Sequence, residues 1–230
     1  MRHNPTSAMI FAAGFGTRMG ELTKDRPKPL IEVAGHTLID HALGWVEGFG
    51  TQTIVANLHY KAEMLRDHLS GRDVLFSEET PDILETGGGL KAALPLLGDG
   101  PVFTMNCDAV WSGPNPLGHL AARWDPHEMD ALLLCVPLRQ AVGHSGTGDF
   151  LQDRDGRLLR GPGEVYSGLQ IMKPGVVKAV QDTVFSLNKV WNILLENGRV
   201  FGASYPGQWC DVGQPSGITL AESMLRAPNA

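Results

Sequence analysis

Ala12-Ala13-Gly14-Phe15-Gly16-Thr17-Arg18-Met19 is the stretch of this sequence that decides the fold. It overlaps the end of an apolar run, residues 8–13, whose continuous hydrophobic character predicts a buried strand. Glycines at the end of a strand leave backbone N–H groups open to a ligand, and such groups bind phosphate well. We therefore predict a strand followed by a loop that holds a nucleoside triphosphate.

Two basic residues close to this loop support the phosphate interpretation. Arg18 lies within the loop, and Lys28 stands between Pro27 and Pro29. Proline fixes its own backbone and biases the residue before it toward extended geometry, so Lys28 is held in a defined direction. The alternative is a plain turn in which the glycines supply positive φ and Arg18 is solvated, but a turn requires neither cation.

Two common phosphate-binding motifs do not fit the loop. A Walker loop has a lysine followed by Ser or Thr directly after its second glycine, whereas Gly16 is followed by Thr17 and Arg18. A dinucleotide fingerprint has a third glycine three residues later, where this sequence has Met19. The loop belongs to neither motif.

The rest of the chain alternates between strand and helix patterns, which is typical of an α/β fold with a doubly wound, mostly parallel, Rossmann-like sheet. The pattern predicts strands at 8–13, 53–57, 74–76, 102–106, 131–136, 165–172 and 199–204, and helices at 38–46, 64–69, 90–97, 189–197 and from 215. Residues 149–160 predict a hairpin that turns at Asp155-Gly156, and with 165–172 they form a small antiparallel subregion.

Length and composition predict one domain, residues 1–230, with residues 1–7 frayed. The chain has 230 residues, of which 43% are hydrophobic and 19% are charged. It has no apolar run long enough for a bilayer and no basic leader before an apolar core, so we expect a cytoplasmic protein without a membrane partner.

Charge and cysteine content exclude two further classes. The net charge of −6 argues against a nucleic-acid binder, so an anionic substrate needs local neutralisation by Arg18, Lys28 and a divalent ion. The three cysteines lack C-x-x-C spacing, which predicts neither a disulfide framework nor a zinc site.

The opening of the chain resembles the sugar-1-phosphate nucleotidyltransferases almost residue for residue, and the resemblance spans nearly the whole chain. It rests on 12–19, Leu22-Thr23, Pro27-Lys28-Pro29-Leu30, Leu84-Glu85-Thr86-Gly87-Gly88-Gly89, Asn106-Cys107-Asp108, Gly148-Asp149-Phe150, Ser167-Gly168 and Trp209-Cys210-Asp211-Val212-Gly213. The resemblance implies a nucleotidyltransferase type A-like fold with the antiparallel subregion on the sugar side.

The resemblance also implies a set of site residues. They are catalytic Arg18, Lys28 and Asp108; nucleotide-binding Ala12, Ala13, Gly14, Gly16, Thr17, Arg18, Glu79 and Gly87; sugar-binding Asn106, Gly148, Asp149 and Gly168; and the Mg²⁺ ligands Asp108 and Asp211. Glu78 remains an alternative to Glu79 for contact with the base. By itself, Asp108 could be a turn or helix-capping aspartate, and Asp149 could bond its own backbone at a hairpin start. The role of Lys173 is left open.

The reaction implied is Mg²⁺-dependent transfer of a nucleoside monophosphate from an NTP to a sugar 1-phosphate, with release of pyrophosphate. Within the family, the Leu-Glu-Thr-Gly-Gly-Gly run and the short chain favour UTP and N-acetylmuramate 1-phosphate, and hence peptidoglycan recycling. The alternatives are guanylyl, cytidylyl or thymidylyl transfer to mannose, heptose or glucose 1-phosphate. A different class is a non-catalytic module that senses nucleotide sugars. A third is a dinucleotide-binding oxidoreductase, which the missing third glycine disfavours. We expect one activity and a monomer or small homo-oligomer.

Overall fold

The computed structural model describes residues 4–227, which form a mixed α/β fold around a central sheet. The strands are β1 (Ser7–Phe11), β2 (Glu32–Val33), β3 (His36–Thr37), β4 (Thr53–Leu58), β5 (Leu75–Glu78), β6 (Val102–Asn106), β7 (Ala109–Ser112), β8 (Ala131–Val136), β9 (Ala141–Val142), β10 (Phe150–Gln152), β11 (Leu158–Arg160), β12 (Val165–Met172), β13 (Val200–Ser204) and β14 (Gln208–Asp211). The helices are α1 (Leu38–Phe49), α2 (Ala62–His68), α3 (Glu85–Leu97), α4 (Pro116–Ala121), α5 (Pro174–Ala179), α6 (Leu187–Glu196) and α7 (Pro215–Arg226). Short 3₁₀ helices cover Thr17–Thr23, Lys28–Leu30 and Leu138–Gln140.

The central sheet has seven strands in the order β13-β8-β12-β6-β1-β4-β5. Neighbouring strands are parallel except at β12, which runs antiparallel to both β6 and β8. After β1 the chain builds β4 and β5 on one side and then crosses to β6 on the other. The switch point of the sheet therefore lies between β1 and β6, where open α/β sheets bind ligands at the carboxyl ends of their strands.

Helices cover both faces of this sheet, which confirms the doubly wound prediction. One apolar cluster packs α1, α2 and α4 against the sheet through residues such as Leu43, Leu65 and Leu117. A second cluster packs α3, α5 and α6 against the opposite face through residues such as Leu90 and Val190. In the part of the chain described, no helix combines the length and the apolar character needed to cross a membrane.

A separate three-stranded ribbon, β7-β14-β9, lies beside the main sheet and positions the acidic residues of the site. β7 follows β6 after only Cys107 and Asp108, and β14 pairs with β7 in antiparallel register. Helix α7 packs on this ribbon through Ala221 and Met224 in a third apolar cluster. The sequence pattern did not predict β7 or this pairing.

Three sequence predictions need correction. Helix α3 begins at Glu85 and not at Leu90, so the three glycines lie inside its first turns. The helical spacing at 64–69 predicts one face that carries Met64, Leu65, His68 and Leu69, but Met64 is exposed on α2. The expected fraying of residues 1–7 is wrong at its end, because Ser7 starts β1 and Thr6 O accepts hydrogen bonds from Gln52 and Thr53. Residues 1–3 lie outside the described residues.

Candidate active site

A cleft of about 290 Å³ lies across the carboxyl ends of β5, β4, β1 and β6, at the switch point of the sheet. Its lining residues are Phe11, Ala12, Ala13, Gly14, Gly16, Thr17, Arg18, Lys28, Pro29, Asn57, Glu79, Ile83, Glu85, Thr86, Asn106, Cys107, Asp108 and Gly213. The structure thus brings together seven of the eight positions predicted to hold the nucleotide, together with Lys28 and Asp108. The exception is Gly87.

Gly16 of the glycine loop packs closely against Lys28. Gly16 has φ +65°, and a Cβ placed on it would lie 2.7 Å from the Lys28 Cβ and 3.0 Å from the Thr23 Cγ2. The Thr23 hydroxyl donates to Gly16 O at 3.2 Å and fixes the same turn. Gly14 differs, because its Cβ would meet no atom within 4 Å. Gly16 is therefore required for backbone shape, whereas Gly14 leaves open space at the cleft.

We expect Gly16→Ala to lower the free energy of unfolding by about 1–2 kcal/mol, the usual cost of forcing a side chain into a left-handed conformation. Urea denaturation would measure it, with Gly14→Ala as the matched control, expected within about 0.5 kcal/mol of the wild type. Equal losses in the two variants would contradict this account of the loop.

Lys28 and Asp108 form an ion pair at the floor of the cleft. The Lys28 Nζ lies 2.9 Å from the Asp108 Oδ2, and the two side chains are 12% and 31% exposed. Lys28 starts a short 3₁₀ helix directly after Pro27, which has an extended backbone. The lysine side chain lies close to the end of β6, where Asp108 follows the strand. The flanking prolines thus shape the backbone on both sides of Lys28, in agreement with the prediction that they orient it.

Asp211, far from Asp108 in the sequence, lies beside it in the structure. It pairs with Ala109 across β14 and β7, and the Val212 N–H donates to Asp108 O at 2.8 Å. Burial and the nearby Asp108 charge raise the pKa of Asp211, while Lys28 and Arg18 partly oppose the rise. The two carboxylates therefore share one small region in which negative charge is only partly compensated.

This donor set fits a divalent cation. Carboxylate oxygens are the ligands that Mg²⁺ prefers, and Mg²⁺ typically takes one or two carboxylates and completes its shell with water and substrate phosphates. Among residues 4–227 no group of three or more His, Cys, Asp or Glu side chains could hold a metal by itself. A cation at Asp108 and Asp211 would therefore take its remaining ligands from water and substrate.

Glu79 lies in the cleft wall as part of a buried hydrogen-bond chain. It is 1% exposed; its Oε1 accepts from the Asn57 Nδ2 at 2.6 Å and its Oε2 from the Leu84 N–H at 2.7 Å. Asn57 in turn accepts from the Ala12 N–H at 2.7 Å. Glu78 instead points outward to an ion pair with Arg66. Glu79 is thus the glutamate at the cleft, and each of its oxygens already has a donor.

The three glycines of α3 serve close packing. A Cβ on Gly87 would lie 2.4 Å from the Phe185 ring, and a Cβ on Gly88 would lie 2.2 Å from Thr183 O. The N–H groups of both glycines donate to Phe185 O. The Gly87 amide is therefore occupied within the protein, and this geometry gives no support to the predicted contact of Gly87 with the nucleotide.

A second cavity, also about 290 Å³, adjoins the cleft and shares Thr86 and Asn106 with it. Asp149 lines this cavity, and its Oδ2 accepts from the Tyr166 N–H of β12 at 2.8 Å, so it bonds a distant strand and not its own backbone, as the alternative had it. Gly168, at φ +85°, leaves room for the Asn106 side chain, which a Cβ would approach to 2.9 Å. The two residues Asn106 and Asp149 thus line the cavity itself.

Gly148 and Lys173 stand apart from these cavities. A Cβ on Gly148 would lie 2.1 Å from Gly163 O, so Gly148 allows two backbone segments to approach each other. Lys173 follows β12, whose last residue pairs with the first residue of β6, at the opposite end of the sheet from the cleft. It forms an ion pair with Asp130 at 2.7 Å. The open question about Lys173 is therefore answered by a structural ion pair.

Comparison with known proteins identifies the family to which the chain belongs. A family profile described as "MobA-like NTP transferase domain" matches residues 8–148, more than half of the chain. The chain belongs to the MobA-like NTP transferase family. The matched range contains the glycine loop, Lys28, Glu79 and Asp108, whereas Asp211 lies beyond it.

Individual members and relatives agree with this assignment. N-acetylmuramate alpha-1-phosphate uridylyltransferase of Caulobacter vibrioides is 41% identical over 98% of this chain and 99% of its own length. The protein of the same name from Neisseria meningitidis is 33% identical over 96% and 98%. The inositol-1-phosphate CTP transferase of T. maritima has the same fold, with a TM-score of 0.76 at 16% identity and full coverage of both chains. The predicted fold class and nucleotidyltransferase family are confirmed.

Sequence reasoning assigned no role to several lining residues of this NTP transferase cleft, and Asn57 and Thr86 are two of them. Asn57 near the end of β4 carries a weak signal, because it is a polar residue that closes an apolar strand. Thr86 lies in a quoted motif, and its Oγ1 accepts from the Leu187 N–H at 3.0 Å, which ties α3 to α6 at the border of the two cavities. A search for polar residues at the carboxyl ends of strands would have identified Asn57 but not Thr86.

Proposed function

We propose that this chain transfers the uridylyl group of UTP to N-acetylmuramate 1-phosphate, releasing pyrophosphate and forming a UDP-sugar. The observation that carries the proposal is the 41% identity, over nearly the full length of both chains, to a uridylyltransferase for that sugar phosphate. The site supports it, because the glycine loop, Arg18, Lys28 and Asp108 line one cleft, and the β7–β14 pairing places Asp211 beside Asp108.

The reaction joins two anions, so electrostatic repulsion and misalignment dominate its barrier. A phosphate oxygen of the sugar 1-phosphate attacks the α-phosphorus of UTP, and pyrophosphate leaves on the opposite side. We assign the amides of Gly14 and Gly16 and the Arg18 guanidinium to the triphosphate. Lys28, partly buried and fixed by Asp108, is assigned to the two reacting phosphates, where its charge offsets their repulsion.

Asp108 and Asp211 are the residues that would hold Mg²⁺. The ion, when bound, supplies positive charge that neutralises the phosphate oxygens as the leaving group departs. Asp108 is also assigned a positioning role, because its ion pair with Lys28 holds the lysine beside the phosphates. The Arg18 guanidinium and the Asp211 carboxylate both lie close to Gly213, so Arg18 places positive charge near this carboxylate.

We assign the second cavity to the sugar. Asn106 lines both cavities and lies directly before Cys107 and Asp108, so it is suited to contact the sugar next to its phosphate. The enzyme is proposed to be a single domain that acts in the cytoplasm, where nucleoside triphosphates are available, and to serve peptidoglycan recycling. Monomer or small homo-oligomer remains a prediction.

A substrate matrix tests the proposal. UTP, CTP, GTP and dTTP are each combined with the 1-phosphates of N-acetylmuramate, N-acetylglucosamine, glucose, mannose and heptose, and pyrophosphate release is followed. The pair of UTP and N-acetylmuramate 1-phosphate should give the highest kcat/KM. A preference for GTP with mannose 1-phosphate would contradict it, and would agree instead with a 29%-identical mannose-1-phosphate guanyltransferase of Pichia angusta. No turnover with any pair would favour the non-catalytic module.

A further inference from the structure

The second cavity contains one guanidinium, that of Arg160 at the end of β11. The cavity joins the nucleotide cleft at Thr86 and Asn106. A sugar whose 1-phosphate lies near Lys28 would pass Asn106 and extend toward Arg160. The position of Arg160 is therefore at the sugar end of the substrate path, away from the reacting phosphates.

The Arg160 guanidinium is held in a fixed orientation by neutral groups. It stacks over the rings of Phe150, at 4.8 Å, and Trp191, at 5.7 Å. Its Nη2 donates to the Oδ1 atoms of Asn188, at 2.7 Å, and Asn192, at 3.1 Å. Among residues 4–227, no protein atom accepts a hydrogen bond from its Nε or Nη1. A preoriented cation thus retains unused donors at a cavity wall.

The charge of Arg160 is also incompletely balanced within the described part of the chain. Partial burial lowers the pKa of Arg160, while the charge of Asp149 opposes that effect through space. Among the described residues Arg160 has no ion-pair partner, and the Asp149 Oδ2 accepts from the Tyr166 backbone. The first residues of α6 line the same cavity, and the positive end of a helix dipole further favours an anion there.

We propose that Arg160 binds a carboxylate on the sugar and thereby selects sugar 1-phosphates that carry a second acidic group. The inference rests on the proposed function, because N-acetylmuramate differs from N-acetylglucosamine by a lactyl ether that ends in a carboxylate. The Nε–H and Nη1–H groups of Arg160 can each donate a charge-assisted hydrogen bond to a carboxylate oxygen, and a neutral sugar lacks the charge that strengthens such a bond. Arg160 is then a specificity-determining residue and takes no part in the bond-forming step.

The test compares the wild type with Arg160→Met, which removes the charge and keeps an apolar side chain against the two rings. kcat/KM is measured with UTP and two matched pairs: N-acetylmuramate against N-acetylglucosamine 1-phosphate, and glucuronate against glucose 1-phosphate. Arg160→Met should lower kcat/KM for the acidic member of a pair on the order of 10- to 100-fold and leave the neutral member nearly unchanged. Arg157→Met is the control and should change neither, because Arg157 pairs with Asp155 and stacks on Phe201 outside the cavity.

The outcomes separate this inference from the proposed function. If the wild type prefers N-acetylmuramate 1-phosphate and Arg160→Met keeps that preference, the inference is wrong and the proposed function stands. If the wild type prefers glucuronate 1-phosphate and the variant loses it, the proposed substrate is wrong and the inference stands. A wild type that prefers neutral sugars overturns both. Parallel losses on acidic and neutral sugars in Arg160→Met indicate a structural role and overturn the inference.

Discussion

Asp108→Ala should reduce kcat by about 10³-fold or more while the protein remains folded. The substitution removes a carboxylate proposed to hold Mg²⁺ and also the partner of the Lys28 ammonium, 2.9 Å away. A loss of about 4 kcal/mol of transition-state stabilisation corresponds to that factor in rate, and metal-assisted charge stabilisation amounts to several kcal/mol. The Asp108 side chain is 31% exposed, so little packing is lost.

Pyrophosphate release as a function of Mg²⁺ concentration would measure this effect. The variant should need more Mg²⁺ for half-maximal activity, and its thermal unfolding should stay close to that of the wild type. Asp99→Ala is the control, because Asp99 pairs with Lys178 on the surface away from the cleft, and such pairs contribute little. Near-normal kcat in Asp108→Ala would remove this carboxylate from the proposed mechanism.

Local sequence features predicted much of the cleft. The apolar run before Gly14 predicts β1, and the polar residues that close β6 are expected at the carboxyl end of a strand, where ligands bind. The prolines around Lys28 restrict its backbone locally, so a fixed orientation could be predicted, although its contact with Asp108 could not. These predictions succeeded because each depends on a few adjacent residues.

The meeting of Asp108 and Asp211 has a different origin. About a hundred residues separate them, and the resemblance to a family, not a pattern in the chain, implied that they share a cation. The structure brings them together through the register of β7 and β14, in which Asp211 lies opposite Ala109. Strands of four residues carry too little periodicity to predict such a pairing.

The helical glycines show a second limit of the sequence. The sequence pattern placed a helix at 90–97, after the glycines at 87–89, and glycine is unfavourable inside a helix. Tertiary packing outweighs that cost, because only glycine allows the Phe185 segment and the Glu79 carboxylate to approach α3 so closely. A Cβ on Gly89 would lie 2.4 Å from the Glu79 Oε1. Local propensity therefore placed the start of α3 five residues too late.

Glu79→Ala should lower the free energy of unfolding by about 2–4 kcal/mol, much more than a surface glutamate would. Both of its oxygens accept hydrogen bonds, one from the buried Asn57 amide and one from the partly buried Leu84 N–H. Removal of the carboxylate leaves those two donors without acceptors, at about 1–3 kcal/mol for each buried group. Asn57 cannot compensate by turning its amide, because its oxygen already accepts from the Ala12 N–H at the start of the glycine loop.

Urea denaturation of Glu79→Ala, Glu79→Gln and Glu78→Ala would test this argument with two adjacent glutamates. Glu79→Gln should also be destabilised, since its new amide must face a donor at either Asn57 or Leu84. Glu78→Ala should change stability by about 1 kcal/mol or less, because it removes only an exposed ion pair with Arg66. If Glu79→Ala instead kept wild-type stability and only relaxed the choice among nucleotides, Glu79 would be a base-contacting residue and not a support of the cleft wall.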